Sequence, residues 1–180
     1  MRKVVLYQLL SLDGVAEEPG DWMSDGGPAV FANLAEVIAT QDAVLLGRGT
    51  YDYWSGYWPT SDVEPFAGFV NGTTKHVFTS SKPRDEWDAT VLVDEPAPPY
   101  VAALKRQPGG DIGVHGSIRL AQSLLAADLV DELRLVVAPA LAGAGRRLFE
   151  GEGAPRTFEL HSVSSSSVGT LFLQYGARQR

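Results

Sequence analysis

Ala43-Val44-Leu45-Leu46-Gly47-Arg48-Gly49-Thr50-Tyr51 is the stretch that decides the fold. The four apolar residues read as a short buried strand, and Gly47 to Tyr51 reads as a glycine-rich turn that opens a short helix. A strand running straight into a helix is the repeating unit of an α/β domain. Upstream, Val4 to Leu10 is a second buried strand, closed by the turn Ser11-Leu12-Asp13-Gly14, and residues 15–27 read as loop. Pro28 suits the first turn of a helix that ends near Thr40, with Val30, Leu34, Val37 and Ile38 on one face.

Downstream, the Pro, Gly, Asn and aromatic residues of 55–74 show no clean period and predict a long loop. Strands follow at Lys75 to Thr79 and Ala89 to Val93, then a helix around Tyr100 to Arg106 after Pro96, Pro98 and Pro99. Ile112 to His115 is a further strand, passing through Gly116-Ser117 into a helix from Ile118 to near Ala127. Leu133 to Ala138 is a strand, 139–153 a loop, and Thr157 to Val163 with Thr170 to Tyr175 a hairpin joined by Ser164 to Gly169. The pattern predicts one α/β domain over 1–180: a mixed, mostly parallel central sheet with flanking helices and a C-terminal antiparallel hairpin.

Composition narrows the chemistry. The 180 residues are 44% hydrophobic, enough for a large core without cross-links, and contain no cysteine. Disulfides, thiol nucleophiles, zinc-cysteine sites and iron–sulfur clusters are excluded, and no metal site is assigned. Twenty-two acids against fifteen bases give a net charge of −7 with the bases scattered, which argues against nucleic acid or an anionic membrane as partner. Gln8, Ser11 and Asp13 interrupt the first apolar run too early for a signal peptide, so a cytoplasmic protein is expected.

Three strand ends carry polar groups where ligands bind in open α/β sheets. Gly47-Arg48-Gly49-Thr50 offers backbone amides, a guanidinium and a hydroxyl; Thr79-Ser80-Ser81-Lys82 offers hydroxyls and a cation; His115-Gly116-Ser117 opens a helix. Each also has a plain structural reading: a steric turn, serine turn formers, and Ser117 as a helix N-cap. His115 reads either as a proton donor at neutral pH or as a packed core histidine. Asp13 reads either as a carboxylate at the site or as half of an Asp-Gly turn pair. Trp22, Tyr51, Tyr53, Trp54, Tyr57 and Trp58 either roof a planar ring or serve core and dimer contacts.

Taken in order, these residues resemble the dihydrofolate-reductase superfamily, in the branch that includes the riboflavin-biosynthesis reductase domain. Ser11-Leu12-Asp13-Gly14 is similar to its first-strand signature, Leu45 to Tyr51 to its strand–Gly-Arg–Thr-aromatic cofactor motif, and Val77 to Ser81 to its second nucleotide-binding strand end. Val114-His115-Gly116-Ser117 sits where the family has a glycine-rich turn. Leu129-Val130-Asp131-Glu132-Leu133, Pro139 and Gly143 to Phe149 are particularly like the riboflavin branch.

The resemblance implies a dihydrofolate-reductase-like fold, NADPH as cofactor, a small-molecule substrate and a homodimer. Gly47, Arg48, Gly49 and Thr50, with Thr79, Ser80 and Ser81, would hold the adenosine end and its 2′-phosphate. Gly113, Val114, Gly116, Ser117 and Ile118 would approach the pyrophosphate, and Leu10 and Ser11 would lie by the nicotinamide. Asp13 and His115 are the candidate catalytic residues; Trp22, Phe31, Tyr53 and Trp54 are the candidate substrate contacts. Folate reductases carry an acid on the helix before the Gly-Arg motif, near Phe31 here, whereas no acid occurs from Pro28 to Ala35 and Glu36 lies further along. Folate is therefore a poor expectation. The activity implied is hydride transfer to the ribosylamino-pyrimidine intermediate of riboflavin synthesis; the alternative is a non-catalytic NADP-binding or regulatory module.

Overall fold

A computed structural model of the chain describes residues 1–24, 27–150 and 155–178. In chain order it contains β1 (Val4–Leu10), α1 (Pro19–Trp22), α2 (Gly27–Ile38), β2 (Gln41–Gly47), α3 (Arg48–Trp54), α4 (Phe66–Gly72), β3 (Thr74–Phe78) and β4 (Thr90–Val93). These are followed by α5 (Ala97–Leu104), β5 (Asp111–His115), α6 (Ile118–Ala126), β6 (Glu132–Val137), β7 (Phe158–Ser165) and β8 (Leu171–Ala177). The eight strands form one sheet in the order β4-β3-β2-β5-β1-β6-β8-β7. Pairings from β4 through to β6 are parallel, and β8 pairs antiparallel with both β6 and β7. This is the architecture that the alternation of elements and the terminal hairpin predict.

Side-chain alternation along the strands divides the core into layers. Val4, Leu6 and Leu10 of β1 face α5 and α6 in a cluster with Val101, Leu104, Leu120, Ala121 and Leu124. Val5 and Tyr7 face the other way, against Val30 and Val37 of α2. On that same side Tyr51, Phe66, Val70 and Trp87 pack over Val44, Leu46 and Val77. Of the α2 face expected from Val30, Leu34, Val37 and Ile38, all but Leu34 are buried, and Leu34 is partly buried against the same core.

Local departures have physical causes. The expected loop at 55–74 contains a 3₁₀ turn at Trp58–Thr60 and the helix α4, because Phe66, Ala67 and Val70 form a short buried stripe. The stripe is too brief to show a period in the sequence. Within 15–27, α1 forms behind Pro19, and Val15 bridges to Arg147. The parts of the two expected loops at 25–26 and 151–153 lie outside the described residues. Helix α5 begins at Ala97 rather than Tyr100, since Pro98 and Pro99 sit where a helix leaves its first N–H groups unpaired.

The order of the strands creates the functional edge. From β1 the chain builds outward through β2, β3 and β4, returns to lay β5 between β2 and β1, and continues on the far side with β6. All these strands are parallel, so Leu10, Gly47, Phe78, Val93 and His115 end on one edge, with the reversal between β2 and β1 at its centre. Such a reversal opens a crevice at the carboxyl ends of the strands.

Candidate functional site

The turns after β2 and β3 meet at this edge. Arg48 Nη1 donates to Ser81 Oγ (2.9 Å), Ser81 O (3.0 Å) and Thr79 Oγ1 (3.3 Å). Thr79 Oγ1 in turn donates to Ser81 O (2.8 Å) and accepts from Ser81 N (3.2 Å), a local threonine turn that presets the 79–81 backbone. The guanidinium and two hydroxyl residues expected at one phosphate are thus brought together from strand ends 31 and 33 residues apart. Beside them, Phe78, Thr79, Ser80, Val93, Asp94, Glu95 and Pro96 line a shallow cleft of about 420 Å³.

The turns after β2 and β5 are joined as well. Ser117 Oγ accepts from Gly47 N (2.9 Å) and donates to Thr50 Oγ1 (2.8 Å), and Ser117 is 5% exposed. The hydroxyl read as a helix cap therefore staples two strand ends, and the Gly47 amide is already engaged by protein. Gly49 has nothing within 4 Å of a Cβ position, so its side faces open space. Gly116 takes φ +77, a conformation that favours glycine, and packs 3.7 Å from Trp54 Cζ2 by its Cβ position.

Three other residues expected along the pyrophosphate have different reasons to be where they are. Val114 and Ile118 point into the apolar layer beneath α6, at 0% and 5% exposure. Gly113 lies mid-strand, where a Cβ would collide with Gln41 Oε1 and with His115 Nε2. Glycine there makes room for a hydrogen bond inside the protein, not for a ligand.

That bond explains His115. Its Nε2 lies 2.8 Å from Gln41 Oε1; an amide oxygen only accepts, so the imidazole proton sits on Nε2. The ring is 3% exposed and packs against Tyr7, Phe66 and Phe69 with centroids 5.7, 5.3 and 6.0 Å away. Burial holds its pKa down to about 3. At neutral pH it is an uncharged core residue, which corrects its reading as a proton donor.

Asp13 is likewise held by contacts within the protein. It accepts from Ser11 Oγ (2.6 Å), Ala142 N (3.0 Å) and Gly143 N (2.9 Å), with Arg147 Nη2 at 3.8 Å. The Ser11 hydroxyl first, then the Ala142 amide, lower its pKa to about 2. A carboxylate so held is an acceptor at neutral pH, not a proton donor. It anchors the loop after β6 to the turn after β1, and Glu17 does the same through Arg146 Nε (2.6 Å) and Arg146 N (3.0 Å). The arginine pair is thereby tied to carboxylates. Leu10 and Ser11 are committed too: Leu10 is in the core, its carbonyl accepts from Ala138 N (2.8 Å), and Ser11 Oγ also accepts from Val15 N (3.0 Å).

The aromatic residues separate into groups. Tyr51 is buried against Trp87 and donates to Asp85 O (3.2 Å), a core role. Trp54 packs edge-on against Trp58 and Phe66, and Tyr57 against Trp58. Phe31 and Tyr53 are 39% and 70% exposed, while Trp22 is half-buried and donates to Glu17 O (2.9 Å). The structure does not gather Trp22, Phe31 and Tyr53 into one ring-lined wall; no ring contact joins them among the described residues.

Two features went unread in the sequence. Asp52 lies 2.7 Å from Arg48 Nε through both carboxylate oxygens, and its i,i+4 spacing on a helix was the available signal. Tyr7 Oη and Gln41 Nε2 are buried without a partner among the described residues, on either side of His115. A larger cleft of about 960 Å³ lies at the opposite edge of the sheet, between Lys3, Asp128, Glu132 and His161, away from all these groups. Among the described residues no helix is long and apolar enough to cross a membrane.

Comparison with known proteins places this geometry. The chain is 32% identical to the uncharacterized protein YwjB of Bacillus subtilis (strain 168) over 151 residues, 82% of this chain and 83% of that one. Its fold matches a Shewanella sp. PV-4 protein provisionally named for riboflavin biosynthesis, at TM-score 0.80 and 19% identity, over 98% of this chain and 99% of that one. It also matches the Thermotoga maritima diaminohydroxyphosphoribosylaminopyrimidine deaminase/5-amino-6-(5-phosphoribosylamino)uracil reductase at TM-score 0.69 and 17% identity. That match covers 98% of this chain and 57% of the Thermotoga protein. With its reductase-like fold and a family match spanning residues 2–172, the chain belongs to the RibD C-terminal domain family.

Proposed function

We propose that this protein is an NADPH-dependent reductase acting on a small heterocyclic substrate, most like 5-amino-6-(5-phosphoribosylamino)uracil. The observation that carries the reading is the convergence of Arg48 with Thr79 and Ser81 at the carboxyl edge of the sheet. A planar guanidinium flanked by hydroxyls suits a phosphate dianion better than a ribose diol. In this reading Arg48, Thr79, Ser80 and Ser81 hold the 2′-phosphate and adenosine end. Gly49, Thr50, Gly116 and Ser117 border the pyrophosphate, where Gly49 leaves open space and the Ser117 staple fixes the two turns. The bound nicotinamide supplies hydride. The chain's own residues supply position: Asp13 and Glu17 hold the loop after β6 over the end of β1, and the exposed rings of Phe31 and Tyr53 offer stacking surface.

The same reading has the protein working in the cytoplasm as a homodimer. Support for the dimer comes from the sheet edge, where Leu160 and Val163 of β7 and Leu171 of β8 are 51%, 56% and 37% exposed. An uncovered apolar edge of this kind is usually paired.

Fluorescence titration with NADPH and NADH tests the cofactor assignment. The expected preference for NADPH is about tenfold, ~1.4 kcal/mol, and Arg48→Ala abolishes it. Equal affinities in the wild type refute the assignment. NADPH oxidation with candidate pyrimidines then separates an enzyme from a binding module of the same fold.

A further inference from the structure

Arg48 meets the ligand edge with its charge already partnered. Its Nε faces both oxygens of Asp52 at 2.7 Å, one helical turn further on, while Nη1 is directed into the Thr79–Ser81 turn. Among the described residues Nη2 makes no hydrogen bond, so the guanidinium presents one open edge beside a carboxylate that is 43% exposed. The next cation along, Lys82, is 2.9 Å from Glu86 and adds little free charge.

We propose that Asp52 is a specificity-determining residue: it holds Arg48 against the Thr79–Ser81 turn and offsets its charge, limiting selection of a 2′-phosphorylated ribose over a plain ribose diol. The inference rests on the dinucleotide reading of the site. A phosphate docking on the open edge meets a positive and a negative group a few ångströms apart, so their long-range fields largely cancel and the short contact to Nη2 remains. An uncharged diol is insensitive to that balance. Asp52 therefore performs two separable tasks, one through its acceptor oxygen and one through its charge. Asp52→Asn separates them, because an amide oxygen still accepts from Arg48 Nε while the negative charge is gone.

Calorimetric titration of the full chain with adenosine 2′,5′-bisphosphate and with 5′-AMP reads the effect without turnover, since the two probes differ only in the 2′-phosphate. Asp52→Asn is expected to bind the bisphosphate about fivefold more tightly than the wild type, with 5′-AMP within about twofold. Asp52→Ser, whose shorter side chain loses both the acceptor and the charge, keeps 5′-AMP within about twofold but gains less for the bisphosphate than Asp52→Asn, and circular dichroism confirms that both variants fold. An unchanged or reduced bisphosphate-to-AMP ratio in folded variants overturns the role of Asp52. A wild type that binds neither probe instead overturns the dinucleotide reading itself.

Discussion

Acid should unfold this protein partly through one imidazole. His115 has its pKa lowered by burial from 6.5 to about 3, so between these values the unfolded chain takes up a proton that the native ring refuses. The stabilising contribution is complete above pH 6.5 and declines as pH falls toward 3. Each unit of that window is worth up to about 1.4 kcal/mol, so lowering the pH from 6.5 to 4.5 costs roughly 2–3 kcal/mol through this group alone. His76, buried and also lowered by burial, titrates in the same direction, so the wild-type curve alone does not isolate His115. His115→Phe does. The ring is replaced by one of similar shape among Tyr7, Phe66 and Phe69, and His76 is retained. At pH 7.5 the variant should be less stable by about 1–3 kcal/mol, because Gln41 Oε1 loses its donor. Urea denaturation at half-unit steps from pH 7.5 to 4.5 should then show the wild type falling more steeply, the two curves converging in acid. Parallel curves would refute the assignment of a neutral, proton-refusing His115.

Asp13→Asn should leave NADPH affinity within about twofold, since a carboxylate committed to amides is not part of the ligand's charge balance, and should speed hydrogen exchange at Ala142 and Gly143, measured by mass spectrometry. Unchanged exchange would contradict its anchoring role. The Asp13 carboxylate's own contribution to stability should be present above about pH 4 and lost as the pH falls toward 2, because its folded pKa is lowered to about 2 from 3.8. Light scattering at micromolar concentration should return a dimer mass, and a monomer mass would refute pairing through the β7–β8 edge.

Much of the fold was legible because the strands advertise themselves. Val4–Leu10, Ala43–Leu46 and Ile112–His115 are apolar runs bounded by turn residues, and both faces of the parallel strands are buried, as such runs require. Helix α4 was not legible: its buried residues Phe66, Ala67 and Val70 span little more than one turn, and their partners Trp54 and Trp58 lie outside the helix. At the site, the meeting of Arg48 with Thr79 and Ser81 was readable because strand ends in a parallel sheet share an edge. The fates of His115 and Asp13 were not. They depend on Gln41, 74 residues away, and on Ala142 and Gly143, 129 and 130 residues away, and no local pattern encodes such pairings.

The Ser117 staple has a consequence for how tightly a ligand can be held. One hydroxyl joins the turn after β5 to the turn after β2, so the two walls of the crevice are ordered when the chain folds and not when a ligand arrives. Rotamer and loop entropy that a floppy site loses at each encounter, about 0.5–1.5 kcal/mol for every side chain immobilised, has here been surrendered once, in advance. In the proposed function, these two stapled turns act as a mould set before the ligand arrives. Weak contacts made along it translate into residence time with little loss to induced ordering, and slackening the mould at Ser117 would shorten that residence even where every ligand-touching atom stays in place.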